Sequence, residues 1–218
     1  MTAVPQKHLE RLPLFPLPSA FLFPRTFLPL HVFEPRYRAM VTWCLSRRWP
    51  IGIVCIRPGF ERHASGNPPL MTVGTLGEIA RHEKLDNGRY NLMLRGVSRV
   101  QLLAEQPSEG AWRVSQVKLL SDRWPEDRRG LEDLVQTAHA CLLRLRPHFT
   151  AISESLGRSV HTRDAAHLAD ILSSVAFDDD SERQSLLECT DVEVRLRTAV
   201  DRLALLVADT APRDEPVH

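Results

Sequence analysis

The chain has 218 residues, 43% hydrophobic and 25% charged, with a formal net charge of +1. This is the profile of an ordinary globular protein with one large domain or two small ones, and it excludes an overall electrostatic pull toward nucleic acid or membrane. The charge is nevertheless uneven: residues 1–120 carry 16 basic and 8 acidic side chains, whereas residues 121–218 carry 12 and 19. That shift predicts a boundary near residue 120.

In chain order, residues 12–17 and 26–33 predict short strands edged by prolines. Pro35 suits the first position of a helix, because its backbone angle is preset and its missing amide is not needed there. Tyr37, Met40, Val41 and Cys44 follow at i, i+3, i+4 and i+7, giving one apolar helix face that ends near Arg47-Arg48, before Trp49-Pro50. Ile51–Ile56 predicts a buried strand. Residues 57–69, rich in Gly, Pro and Asn, predict an exposed loop. Leu70–His82 is extended, and Asn87-Gly88 signals a two-residue hairpin. Further strands are predicted at 89–95, 97–105 and 112–120. Residues 1–122 thus predict a small, mainly antiparallel barrel or half-barrel with one inserted helix.

After Trp124-Pro125 the apolar period becomes helical. Leu131, Leu134, Val135, Ala138 and Leu142 form one stripe. Leu168, Ile171, Leu172 and Val175 form another, with Thr162 as its N-cap. Asp178–Asp180 precede a short helix over 181–189 and suit its positive end. Val192, Leu196, Ala199, Val200, Leu203 and Val207 line the longest helix, opened by Thr190 and Glu193 in capping-box form. Residues 123–210 therefore predict a helical bundle, and 211–218 a disordered tail.

Signatures of catalysis are missing. There is no phosphate-binding loop, no dinucleotide-binding glycine pattern, no nucleophile elbow and no H-E-x-x-H, and nothing calls for a cofactor. Cys44, Cys55, Cys141 and Cys189 never fall at C-x-x-C spacing, which speaks against a zinc site. No signal-peptide pattern and no apolar run of roughly 18 residues is present, so the expectation is a cytoplasmic protein with reduced thiols and no membrane partner. Gly74–Gly77 matches an RNA-clamping G-x-x-G only at the level of chance. His31 with Glu34, and His161 and His167 with Asp170, are weak metal candidates; Glu34 reads better as a helix cap and, with Arg36, as a structural brace. Phe60, Trp43, Trp49, Arg47 and Arg48 form a conceivable nucleic-acid platform, with packing at a helix end as the better reading. The three lysines, Lys7, Lys84 and Lys118, do not sit where a buried base is expected.

The stretch LPLFPLPSAFLFPRTFLPLHVFEPRYRAMV, followed by VGTLGEIA, DNGRYNLMLRGVSRV and HLADILSSVAFDDDSERQSLLECTDVEVRL, resembles the Lon N-terminal domain, the substrate-binding domain of ATP-dependent Lon proteases. The resemblance implies an α+β fold, a PUA-like β-barrel or half-barrel domain followed by a C-terminal helical bundle. It also implies a non-catalytic role: recognition of unfolded or partly folded polypeptides, with a Lon-type protease as a further partner. Arg25 stands where the family usually has glycine, so the turn there is expected to differ. In Lon proteases an ATPase module and a Ser–Lys peptidase domain follow, and this sequence ends before either, so proteolysis is not carried over. Phe60 and Leu70, around the 57–70 loop, are the candidate peptide contacts. Glu34, Pro35, Arg36 and Tyr37 are expected to be structural. RNA binding by the basic half, and a small-molecule enzyme with a pocket at the barrel mouth, are the alternatives.

Overall fold

The computed structural model describes residues 4–63, 66–145 and 162–210; the expected tail over 211–218 and the candidate ligand His161 lie outside them. The chain falls into two compact units, residues 1–121 with 183–188, and residues 122–182 with 189–218.

The first unit contains a short helix α1 (Gln6–Glu10), strands β1 (Leu12–Leu17) and β2 (Phe27–Val32), helix α2 (Pro35–Arg47), and strands β3 (Ile51–Cys55), β4 (Val73–Lys84), β5 (Tyr90–Gln106) and β6 (Arg113–Leu120). The sheet order is β2-β5-β4-β3-β1-β6, and β5 also pairs with β6. Five strands thereby close on themselves, and β2 extends the sheet beyond the first half of β5. All pairings are antiparallel except β1 with β3.

Two prolines inside β1 are tolerated because the strand is bonded on one side at a time. It pairs with β6 over Leu12–Leu14 and with β3 over Leu14–Leu17. Pro13 and Pro16 each lie in only one of these registers, so no ladder amide is missed. Both faces of β1 are buried, and alternate side chains enter two cores. Leu12 and Leu14 join Val54, Ile56, Leu70, Leu76, Val100 and Val117. Phe15 joins the apolar face of α2, made of Tyr37, Met40, Val41 and Cys44, with Leu92 and Leu94 of the sheet.

β5 is one strand of 17 residues where the sequence predicts two. Gly96 does not end it. The pairing runs Leu76 to Ser98 and then Gly77 to Gly96, so Val97 is an extra residue in a bulge that bends the strand without breaking it. The hairpin before it also differs. Gly88 donates to the Leu85 carbonyl at 2.8 Å, and Leu85 to that of Arg89 at 2.9 Å. Only Gly88 of the turn has a positive φ, +75°. A type I′ Asn-Gly turn needs two such angles, and Leu85 pairs with Arg89 across three residues, so the connection is instead a three-residue loop with a glycine bulge. Arg38 of α2 clamps it, its Nε donating to the Gly88 carbonyl at 2.7 Å.

Arg25 takes the left-handed conformation, with φ 63°. Its amide donates to the Gly96 carbonyl at 2.8 Å, and the Gly96 amide to the Thr26 carbonyl at 2.9 Å. The turn therefore keeps a glycine-like geometry with an arginine in it. Left-handed backbone costs a side-chain-bearing residue about 1–2 kcal/mol, partly offset by the entropy a glycine would lose. Arg25→Gly is expected to raise stability by about 0.5–1 kcal/mol, read as a higher urea midpoint. A lower midpoint would show that the arginine side chain contributes more than its backbone costs.

The helical unit comprises α3 (Arg129–Leu145), α4 (Ala165–Val175) and α6 (Val192–Thr210), with α5 (Asp180–Glu188) between the last two. Residues 183–188 of α5 belong to the first unit, although the sequence places the whole of 123–210 in one bundle. There Gln184 donates to the Val73 carbonyl at 3.1 Å, and buried Arg99 donates to that of Leu187 at 2.9 Å. The expected stripes of α3 and α6 are largely buried. The caps of α4, α5 and α6 are carboxylates rather than hydroxyls. Asp164 accepts from the His167 amide at 3.0 Å, Asp191 from that of Val194 at 3.1 Å, and Asp179 from those of Ser181 and Glu182 at 2.9 Å. The Ser181 hydroxyl, which also donates to this carboxylate, and after it the Glu182 and Ser181 amides hold the Asp179 carboxyl below its usual range. Thr162 is not the cap of α4; it accepts from the Asp164 amide. Glu193 bonds Arg197 at 2.7 Å, so no capping box forms. Among the described residues no helix is long and apolar enough to cross a membrane.

Candidate functional site

The corner between β2 and α2 is built from Glu34 to Tyr37. Glu34 makes no side-chain cap bond. Its carboxylate instead pairs with Arg36 at 3.1 Å, while its carbonyl accepts from the Arg38 amide at 2.9 Å and starts the helix. Arg36 also donates to the Gly66 carbonyl at 3.2 Å and lies 4.4 Å from the Tyr37 ring centre. Tyr37 is buried against Phe15, with ring centres 4.3 Å apart, and burial raises its hydroxyl above the ordinary tyrosine range. Arg36 thereby ties the helix start to the 57–70 loop.

That loop separates its two candidate residues. Phe60 is 43% exposed, whereas Leu70 is only 7% exposed and belongs to the core with Leu12 and Leu76. Leu70 pairs with Ile56 as an extension of the sheet, so only Phe60 of the two offers surface.

The other sequence candidates are dispersed. His31 bonds Asn91 at 2.8 Å and not Glu34. His167 contributes its amide to the Asp164 cap, and Asp170 is buried beside Arg195. Among the described residues no three His, Cys, Asp or Glu are grouped to hold a metal. Gly74–Gly77 lies inside β4 and is not a loop. Trp43 and Trp49 meet edge-on at 5.3 Å, with Arg47 over Trp43 at 4.6 Å and Lys7 over Trp49 at 5.3 Å. Both indoles are partly buried and donate, Trp43 to Glu109 and Trp49 to the Arg11 carbonyl, which is the arrangement of a packed helix end. Burial pushes the Cys44 thiol up to about 12, leaving it un-ionised and unreactive.

The sequence does not single out the outer face of β2, β5 and β4. Leu28, Leu30 and Val32 pack inward with Leu92 and Leu94. Their neighbours point outward in three cross-strand rows: Phe27, Arg95 and Glu78; Pro29, Met93 and Arg81; His31, Asn91 and Glu83. Phe27 is 59% exposed, and Phe33, stacked on His31 at 6.3 Å, is 58% exposed. An open groove of about 640 Å³ crosses this face around Pro29, Met93 and Arg81. Among the described residues β2 has a strand partner on one side only.

Comparison with known proteins agrees with this architecture. The Lon protease of Desulfosudis oleivorans is 26% identical over 196 residues, 89% of this chain and 24% of that protein. The Lon protease of Chloroflexus aurantiacus is 29% identical over 219 residues, 95% of this chain and 25% of that protein. The chain thus spans about a quarter of the length of the curated relatives it matches. Among solved structures, a Lon N-terminal domain protein from Xanthomonas campestris superposes with a TM-score of 0.63 at 25% identity, covering 88% of this chain and 97% of that one. The N-terminal domain of the Mycobacterium avium complex Lon protease superposes with a TM-score of 0.69 at 18% identity, covering 89% and 98%, a likeness of fold. With residues 11–204 matched by the model of the ATP-dependent protease La (Lon) substrate-binding domain, the chain belongs to that family.

Proposed function

We propose that the chain binds unfolded or partly folded polypeptide segments without catalysing a reaction on them. The observation that carries this reading is the exposure of Phe27, Phe33 and Phe60 on the β-rich unit, two of them flanking a strand edge beside an open groove. Isolated exposed apolar residues are ordinary on protein surfaces, but large aromatic side chains at the two ends of a strand edge that borders a groove suit a contact surface. A Lon-type protease is part of the same reading, since the matched relatives are Lon proteases. So is a cytoplasmic location, where the free thiols of Cys44, Cys55, Cys141 and Cys189 stay reduced.

The test is capture of a reduced, alkylated, unfolded protein by the immobilised chain. The Phe27→Ser/Phe33→Ser double variant is expected to lose about tenfold in affinity, and Phe60→Ala about threefold, magnitudes at the scale of interface aromatics. Equal capture by all three proteins would remove these surfaces from the reading, and no capture by the unaltered chain would remove the reading itself. The excess of 16 basic over 8 acidic side chains in residues 1–120 favours RNA as the second reading. A gel shift that weakens steeply with salt would support it, because phosphate contacts release counterions.

A further inference from the structure

Among the described residues β2 is bonded on one side only, and its other side can be read residue by residue. The Gly96 amide donates to the Thr26 carbonyl at 2.9 Å, which makes Thr26 and Gly96 a hydrogen-bonded pair at the start of the ladder. In an antiparallel pair such residues alternate with residues whose amides and carbonyls turn the other way. Leu28, Leu30 and Val32 therefore bond β5, opposite Leu94, Leu92 and Tyr90, and Phe27, Pro29 and His31 turn their backbone groups outward. Pro29 fits this assignment independently, because the open side of an edge strand is where a proline is tolerated. Phe27, Pro29 and His31 are all exposed. Among the described residues no loop backbone bonds to any of them, and no second strand reaches them. The edge thus presents the amides of Phe27 and His31 and the carbonyls of all three, in a line with a repeat of roughly 6.8 Å, twice the rise per residue of a strand.

Resting on the polypeptide-binding reading above, we propose that the β2 edge takes up an extended segment of the bound polypeptide as an added strand. An extended backbone is the ligand that matches this row, since it turns amides and carbonyls toward one side at the same repeat. Five bonds are open to it: two each at Phe27 and His31 and one, to the carbonyl, at Pro29. Side chains of the segment on the outer face lie beside Phe27 and Pro29, with Phe33 just past the end of the strand, so apolar residues at alternate positions are favoured. Pro29 argues against a second copy of the chain as the occupant. Two β2 edges set antiparallel in full register place one Pro29 against the other and lose both central bonds, whereas a foreign segment loses one. The same proline keeps the edge from growing into a longer sheet.

The experiment is fluorescence anisotropy with a short labelled peptide in which valine alternates with threonine between terminal lysines, and with the same peptide N-methylated at one residue at a time. Each methyl group removes one amide donor and blocks that side of the backbone. On the unaltered chain, methylation within one alternate set of residues is expected to weaken binding about tenfold, the upper range for one backbone hydrogen bond. Methylation within the intervening set is expected to change it less than about twofold, because those amides face away from β2 whichever way the segment runs. On the protein, His31→Pro removes an outward amide two residues from Pro29 and is expected to weaken binding about tenfold. His31→Ala loses the same side chain but keeps the amide, and is expected to bind within about twofold of the unaltered chain. Circular dichroism reports whether both variants are folded, and the methylation pattern needs neither. If methylation acts equally at neighbouring positions or at none, or if folded His31→Pro binds as His31→Ala does, the edge assignment is wrong while polypeptide binding stands. The same holds if the peptide fails to bind but the reduced, alkylated protein is captured. If neither binds, polypeptide binding itself fails and the edge with it. A dimer in sedimentation that His31→Pro abolishes would give the edge to a second copy and overturn the assignment.

Discussion

Arg195→Ala is expected to destabilise the helical unit by about 3–5 kcal/mol, the range for removing one partner of a buried ion pair. Arg195 and Asp170 are both fully buried, with Nε 3.4 Å from the Asp170 carboxylate. That distance makes an ion pair, but the geometry is not that of a hydrogen bond, and among the described residues Nε has no other partner. The other nitrogens are better placed. One donates to the Cys189 carbonyl at 2.9 Å and another to Asp122 at 2.8 Å. One guanidinium on α6 thereby joins the entry to the unit, the segment before α6 and the middle of α4. Truncation leaves a buried carboxylate beside a void, which is where the cost arises. A companion Arg195→Met/Asp170→Leu variant, which removes both charges and keeps the volume, is expected to recover much of the loss. Urea unfolding followed by far-UV circular dichroism gives both values. A loss below about 1 kcal/mol for Arg195→Ala would mean that water replaces the arginine and that the site is not sealed.

The second large effect is at Gly96. A Cβ there would lie 2.1 Å from the Phe23 carbonyl oxygen, 2.9 Å from its carbon and 3.2 Å from the Pro24 Cα. These are backbone atoms in the turn that is itself bonded to Gly96 on both sides, so they cannot swing away as a side-chain tip would. Gly96→Ala is expected to cost about 3 kcal/mol, the upper end for overpacking. Gly130 is the control. It sits in the first turn of α3 with nothing within 4 Å of its added Cβ, and Gly130→Ala is expected to be neutral or to gain up to about 1 kcal/mol from helix propensity. Equal denaturation midpoints for the two variants would show that the 23–26 turn yields.

The residues that decided the fold were legible where a local rule has one physical solution. Pro35 followed by Tyr37, Met40, Val41 and Cys44 admits only a helix with that buried face, and Ile51–Cys55 is a strand buried on both sides. Legibility failed where distant backbone decides. Gly96 read as a break, but it is the point where another loop presses on a continuous strand. Thr162 and Thr190 read as caps, yet Asp164 and Asp191, one or two residues nearer the helix, hold the amides with a full negative charge. The surface was the least visible. In LFPRTFLPLHVFEP ten of the fourteen positions are apolar and do not alternate, so only the register of β2 on β5 turns Phe27 outward and Leu28 inward. Leu70 and Phe60 lie in one loop-like stretch, and nothing local distinguishes the core residue from the exposed one.

The double allegiance of β1 has a consequence for the order of events during synthesis. Within this fold it is the first strand to be made, yet its partners are residues 52–55 of β3 and 113–115 of β6. Until the latter emerge, Leu12 and Leu14 lack one wall of their core and the ring stays open. The β4–β5 hairpin, closed by a turn of three residues, needs no such wait. Within this fold β1 is thus the first strand made, and its second side is the last to be covered. The nascent chain carries one side of β1 uncovered for about a hundred residues.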